Sequence, residues 1–159
     1  MGTSLVVDAA RVRVAFGRAW LAMTLALAAH VADEALTGFL DVYNPIVRAA
    51  RERFEWFPMP TFTFGAWLTG LVLLTLVLLA LTRLASDGAI LTRVLAFPFA
   101  IVIGVMNGFG HLGASVYFHR WMPGTTTAPL LVVCGVWLLA SNARLRSTTC
   151  RPSLCTSDR

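Results

Sequence analysis

Between Thr61 and Thr82 the chain reads FTFGAWLTGLVLLTLVLLAL, with no ionisable residue anywhere in the run. A helix needs roughly 20 consecutive apolar residues to cross the hydrocarbon core of a bilayer. Three further apolar stretches flank this one, so the spans are expected at about 14–40, 61–84, 94–118 and 125–140. The composition agrees: 57% of residues are hydrophobic and 13% charged, against roughly 45–50% and 25% for a soluble domain. Disorder is excluded for most of the chain by its low charge, and a disulfide scaffold by its three cysteines. The expected fold is all-α, a four-span transmembrane helical bundle with a short interfacial helix between the first and second spans.

All thirteen basic residues are arginine, and they sit at the ends of the apolar runs. Arg11, Arg13, Arg18, Arg83, Arg93, Arg144, Arg146, Arg151 and Arg159 fall on one side of the expected topology, and Arg48, Arg51, Arg53 and Arg120 on the other. The excess of arginine marks the cytoplasmic side. Both termini are therefore expected inside a plasma (bacterial inner) membrane, with 1–13 a cytoplasmic segment, 14–142 the membrane domain and 143–159 a disordered tail. The net charge of +5 is accounted for by orientation, and no nucleic-acid partner is expected.

Between the first two spans, Arg48, Arg51, Glu52 and Glu55 fall on one side of a helical wheel and Ile46, Val47, Ala50, Phe54 and Phe57 on the other. That pattern describes an amphipathic helix lying on the membrane surface. Trp20, Trp56, Trp67, Trp121 and Trp137 are read mainly as interfacial anchors. The competing reading of the N-terminus is a signal peptide cut after Ala26-Leu27-Ala28, which would leave three spans. The apolar run resumes at ALTGFL, which favours a full-length first span.

The chemistry should reside in the residues that a span ordinarily avoids. His30, Asp33 and Glu34 stand at i, i+3 and i+4, hence on one helix face with Thr37. An acidic residue at mid-span costs about 2.5–3.5 kcal/mol on insertion scales, while each Leu or Val returns only about 0.3–0.6. The two carboxylates should therefore face a partner within the bundle. The third span offers one: Gly104, Asn107, Gly108, His111 and Ser115 share a face. Gly104 and Gly108 form a G-x-x-x-G pair expected to bring the first span close. At the helical rise, His30 lies about 18 Å beyond Arg18 and Asn107 about 21 Å beyond Arg93, so the two sets match in depth. His119 lies off the His111 direction, nearer the outer end of the span, and is the weaker candidate.

His30, Glu34 and His111 supply two imidazoles and a carboxylate, the ligand set of a catalytic zinc with an open fourth position. Asp33 is the expected base toward water, and Asn107 a contact to substrate or ligand. Metal-free acid–base work by Glu34 and Asp33 is the second reading, with isomerisation or cyclisation of a lipophilic substrate as its outcome. Transport, or assembly as a subunit or homo-oligomer, is the non-enzymatic alternative. A hydrogen-bonded network that only fixes helix pairing would use the same residues. Intramembrane ionisable groups mark function by default, which favours a site.

These segments resemble the HXXEE family of small bacterial integral membrane proteins. The resemblance is carried by His30-Val31-Ala32-Asp33-Glu34, by Asn107-Gly-Phe-Gly-His111-Leu112 and by Arg120-Trp-Met-Pro123-Gly124-Thr-Thr-Thr-Ala. Asp33 stands where the family pattern has Glu. The resemblance implies a membrane protein in which His30, Glu34 and His111 act together, with no assigned reaction. The expected partners are membrane lipids and a hydrophobic small molecule, and the expected activity is metal-dependent hydrolysis.

The topology is open to labelling. Cysteines introduced at Thr3 and Asp158 should react with an impermeant maleimide only from the cytoplasmic side, and Arg48→Cys only from the outside. A mature chain beginning near Ala29 would remove the first span from the bundle.

Overall fold

The computed structural model describes residues 2–149, which are helical throughout apart from turns. The elements are α1 (Gly2–Thr37), α2 (Phe39–Arg53), α3 (Phe64–Ala80), α4 (Thr82–Ser86), α5 (Ile90–Pro98), a π-helical segment (Phe99–Met106), α6 (Asn107–Tyr117) and α7 (Ala128–Thr149). Three helices are long and apolar enough to cross a membrane: Asp8–Thr37, Ile90–Tyr117 and Ala128–Thr148. The run that looked most like a span in sequence forms a helix of only 17 residues, Phe64–Ala80. Its first residues are used otherwise. Thr63 caps α3 by accepting from the Ala66 N–H, and Phe62 exchanges two hydrogen bonds with the Asn44 side chain. At the other end Leu81 interrupts the helix before α4, although its N–H still bonds to the Val77 carbonyl.

The longest helix ends where a positive φ forces it to end. Gly38 adopts φ 76°, a left-handed conformation that disfavours side chains, and the chain turns there into α2. The amphipathic helix begins at Phe39 and stops at Arg53. It buries Leu40 and Val47 and exposes Arg48, Arg51 and Arg53. Phe54 and Phe57 lie beyond its end, and Phe54 is exposed. Asn44 pins the helix to Phe62, and the Tyr43 hydroxyl donates to the Pro60 carbonyl at 3.0 Å. Burial holds the Tyr43 phenol above its ordinary value despite the nearby Arg51, so its hydroxyl remains a donor.

Pro98 lacks the N–H that an α-helix would use, and the backbone passes directly into the π-helical segment. Near the middle of that segment Gly104 lies against Gly135 of α7. A Cβ on Gly104 would fall 2.9 Å from Gly135 Cα, 3.1 Å from Met23 Cε and 3.3 Å from the Leu131 carbonyl oxygen. One on Gly108 would fall 2.6 Å from Val132 Cγ2 and 2.9 Å from the Ala128 carbonyl oxygen. The two glycines thus bring the Ile90–Tyr117 helix against α7, a correction to the expected approach to the first span. The reason is geometric. A polar and small-residue face about 100° wide is broad enough to meet two helices, with glycines toward α7 and Asn107 and His111 toward α1.

The core lies between α1, α7 and the π-helical segment: Phe16, Trp20, Met23 and Leu27 pack with Phe99, Leu131, Cys134 and Leu138. Trp20 is fully buried and donates its indole N–H to the Leu78 carbonyl at 2.9 Å, which makes it a core residue and not an interfacial anchor. Trp56 and Trp121 are exposed near helix ends. Exposed apolar residues such as Leu73, Val77, Val102, Phe109 and Val133 cover the outside, a surface consistent with lipid as the surrounding solvent. Toward the C-terminus α7 runs on to Thr149, past the expected end of the last span; Cys150 and Cys155 lie outside the described residues. Cys134 is buried and free.

The Gly104–Gly135 crossing predicts opposite signs for one substitution. Gly104→Ala should lower stability by about 1–3 kcal/mol through overpacking. Gly70→Ala, where nothing lies within 4 Å, should be neutral or raise stability by up to about 1 kcal/mol through helix propensity. Thermal unfolding in detergent compares the two, and equal shifts would remove the close-packing account.

Candidate functional site

Three polar side chains converge where α1 nears its end. His30 and Glu34, one turn apart on α1, share a face, and His111 reaches them from α6. Nε2 of His111 lies 3.1 Å from Oε1 of Glu34, and Nε2 of His30 lies 3.6 Å from the same oxygen. The three candidate ligand atoms are all within 4.8 Å of one another. His30, Glu34 and His111 are only 1%, 5% and 9% exposed. The two rings meet edge to face, with centroids 4.7 Å apart.

Hydrogen bonds fix which nitrogen of each ring carries a proton. Nδ1 of His111 is 2.7 Å from the Pro123 carbonyl oxygen, and a carbonyl can only accept, so Nδ1 is the protonated nitrogen. Nδ1 of His30 is 2.9 Å from Oγ1 of Thr127. That hydroxyl gives its one proton to Oδ2 of Asp33 at 3.0 Å, so its oxygen accepts from His30 Nδ1–H. In both neutral rings Nε2 then holds a lone pair. Asn107 Nδ2 donates to Nε2 of His30 at 3.1 Å, in keeping with that assignment. Between His111 Nε2 and Glu34 Oε1, by contrast, two acceptors face each other at 3.1 Å. Such a pair repels unless a proton or a metal cation lies between them.

The same turn supplies both anchors. It runs from the end of α6 to the start of α7 and passes over the two rings at Gly124, φ 81°. A Cβ there would fall 2.8 Å from His30 Cε1 and 2.9 Å from His111 Cε1. Glycine is required twice over, for its backbone angle and for its lack of bulk. Ser115 steadies the turn through its bond to Thr125 Oγ1 at 2.6 Å and by accepting from the Met122 N–H.

Two cavities flank the cluster and share Phe39 as a wall. One, of about 320 Å³, lies between α2 and α6; its lining is mostly apolar, with Val47, Ala114 and Met122 among the walls, and Tyr43, Asn107 and His111 also enter it. The other, of about 310 Å³, carries Glu34, Asp41 and Asn44 in its lining. The cluster is thus reached from an apolar side at His111 and from a polar side at Glu34.

Of the residues singled out in the sequence, His30, Glu34 and His111 come together, and Asn107 joins them at His30. Asp33 does not. Its Oδ2 accepts both the N–H and the O–H of Thr127 at the start of α7, so its hydrogen-bonded link to the cluster runs through Thr127 to His30. His119 is exposed at the end of α6 with φ 50° and lies outside the cluster. Pro123, Gly124 and Thr127 entered the sequence reading within the segment that carries the family resemblance, with no role at the site assigned to them.

A helical bundle with a buried His/Glu/His cluster between apolar helices defines the class of protein. Over residues 20–138 the chain matches the family described as "Protein of unknown function with HXXEE motif", and it belongs to that family. No curated protein and no solved structure matches it.

The roof over the rings is testable by substitution. Gly124→Ala should cost about 1–2 kcal/mol for the left-handed angle alone, and more as the rings are displaced. Thr127→Val leaves the His30 Nδ1–H without an acceptor, at about 1–3 kcal/mol. Gly113→Ala, with open space around it, is the control. Unfolding midpoints for Gly124→Ala and Gly113→Ala that coincide would refute the packing of Gly124 on the imidazoles.

Proposed function

We propose that the chain is a four-span integral membrane protein with cytoplasmic termini in which His30, Glu34 and His111 hold one divalent metal ion, zinc first among the candidates, and that it hydrolyses a lipophilic substrate. The observation that carries this reading is the convergence of three acceptor atoms whose rings are already anchored by Nδ1–H. Metal-binding histidines characteristically give their second N–H to a carboxylate or a carbonyl, and here Asp33, through Thr127, and Pro123 fill those roles. The two acceptor separations at Glu34, 3.1 and 3.6 Å, are short enough that one ion would be held between these atoms.

A zinc ion at this position would polarise a substrate carbonyl and lower the pKa of water. The chain's own residues do the rest. The apolar cavity takes the hydrocarbon part of the substrate, and His111 and Asn107 at its polar wall set where the reacting group stops. Asn107, which donates to His30 Nε2, also lines that cavity, where its amide would contact the reacting group. Water approaches Glu34 from the polar cavity, with Phe39 separating the two compartments. Asp33 is a positioning residue: it holds Thr127, which holds His30.

A second reading rests on the 3.1 Å contact between Glu34 and His111. A proton there would make the pair an acid–base couple without metal, suited to proton transfer on an unsaturated lipophilic substrate.

Metal content separates the two. Protein purified without chelator should carry about one zinc-like ion per chain, and His30→Ala, Glu34→Gln and His111→Ala should each lose nearly all of it. Asp33→Asn and Thr127→Val should weaken binding by about 10–100-fold, the effect of losing an outer hydrogen bond to a ligating histidine. Release of fatty acid from long-chain esters in mixed micelles should follow the metal. Wild-type protein that stays metal-free with zinc present would overturn the metal reading and leave the acid–base couple.

A further inference from the structure

At the end of the bundle remote from the His/Glu/His cluster, α1 and α7 enclose a second kind of site. A cleft of about 230 Å³ is lined by Arg11, Val12 and Ala15 of α1 and by Trp137, Ser141 and Arg144 of α7. The two arginines face one cavity from different helices, and both are exposed. Among the described residues neither makes an ion pair; the pairs present are both on Glu34. Asp8, one turn before Arg11, is not within ion-pair distance of it. Ser141 is 6% exposed, and among the described residues its hydroxyl has no hydrogen-bond partner. Two guanidiniums without ion pairs and a hydroxyl without a hydrogen-bond partner line one cleft, a donor set matched in charge to a phosphate.

The rest of α7 indicates where that phosphate comes from. Val133, Trp137, Ser141 and Arg144 stand at i, i+4, i+8 and i+11, so they form one row along the helix, about 16 Å long at the helical rise. The row passes from an exposed aliphatic side chain to a half-exposed indole, then to a hydroxyl and a guanidinium. That order follows a phospholipid from acyl chain through the interfacial region to headgroup. A free phosphate would have no use for the lower half of the row.

We propose that this cleft binds an anionic glycerophospholipid, its phosphate held between Arg11, Arg144 and Ser141 and its acyl chains lying along Trp137 and Val133. The bound lipid ties α1 to α7 at the arginine-rich end of the bundle. Arg13 and Leu145 also approach each other there, around Gly88, where a Cβ would lie 3.2 Å from Arg13 Cγ and 3.5 Å from Leu145 Cδ2.

Native mass spectrometry of the full chain in detergent, with equal amounts of phosphatidylglycerol and phosphatidylcholine, tests this directly. The wild type should retain phosphatidylglycerol preferentially. The double variant Arg11→Gln/Arg144→Gln should lose that preference by roughly 20-fold, at a few-fold for each arginine near a lipid surface. Ser141→Ala should lose part of it, and Arg48→Gln/Arg51→Gln, at the opposite end, none. Equal retention of the two lipids by the wild type, or an undiminished preference in the double variant, overturns the proposal. Displacement of the lipid by millimolar inorganic phosphate would assign the cleft to a free anion and overturn it as well. Metal content of the double variant should equal that of the wild type, so this outcome is independent of the His/Glu/His reading.

Discussion

A carboxyl group that is 5% exposed inside an apolar bundle needs a proton, a cation or hydrogen-bond donors beside it. Burying it ionised without a partner costs several kcal/mol even after relaxation. Glu34 is that group, and much of the surrounding structure serves to place its partners. The uninterrupted helix of α1 puts His30 one turn away on the same face. The π-helical segment and the Gly104–Gly135 contact seat α6 deeply enough for His111 to arrive from the other side. The turn before α7 then fixes both rings from above, so their Nε2 atoms cannot swing away from Glu34.

The apolar, all-helical character and the identity of the three converging residues were legible in the sequence because both depend on local rules. Hydropathy summed over a window reports spans, and i, i+4 spacing reports a shared helix face, so His30 and Glu34 belonged together before any fold was known. His111 could be paired with them because an ionisable group in an apolar helix has few places to go. Asp33 shows where such reasoning stops. Spacing put it on the same face as Glu34, yet one carboxylate turns to a histidine and the other to the start of a distant helix. One residue of offset, about 100° around a helix, suffices for that difference, and no local pattern states which neighbour lies on which side.

The glycines and tryptophans make the same point through packing. Gly104 and Gly108 announced a close approach but not its partner, which is α7 because that helix lies beside α1 and offers Gly135 at the crossing. Trp20 looked like an interfacial anchor by position, whereas its indole N–H finds the Leu78 carbonyl and its ring meets Phe99 at 5.4 Å. The run at 61–82 was the clearest span in sequence and yields the shortest of the four apolar helices. Its leading residues instead hold α2 in place, and α2 walls both cavities.

The anchors of the two imidazoles come from residues late in the chain, with Thr127 meeting His30 across 97 positions and Asp33 across 94. During synthesis, therefore, the first helix exists for most of translation with its histidine and carboxylate unsupported. Only after the last helix has followed into place does the cluster acquire its tautomers and its roof. Completion of the cluster is in this sense a record of completed helix packing: a chain truncated before residue 123 would carry all three converging side chains and none of the contacts that orient their rings from the α6–α7 turn.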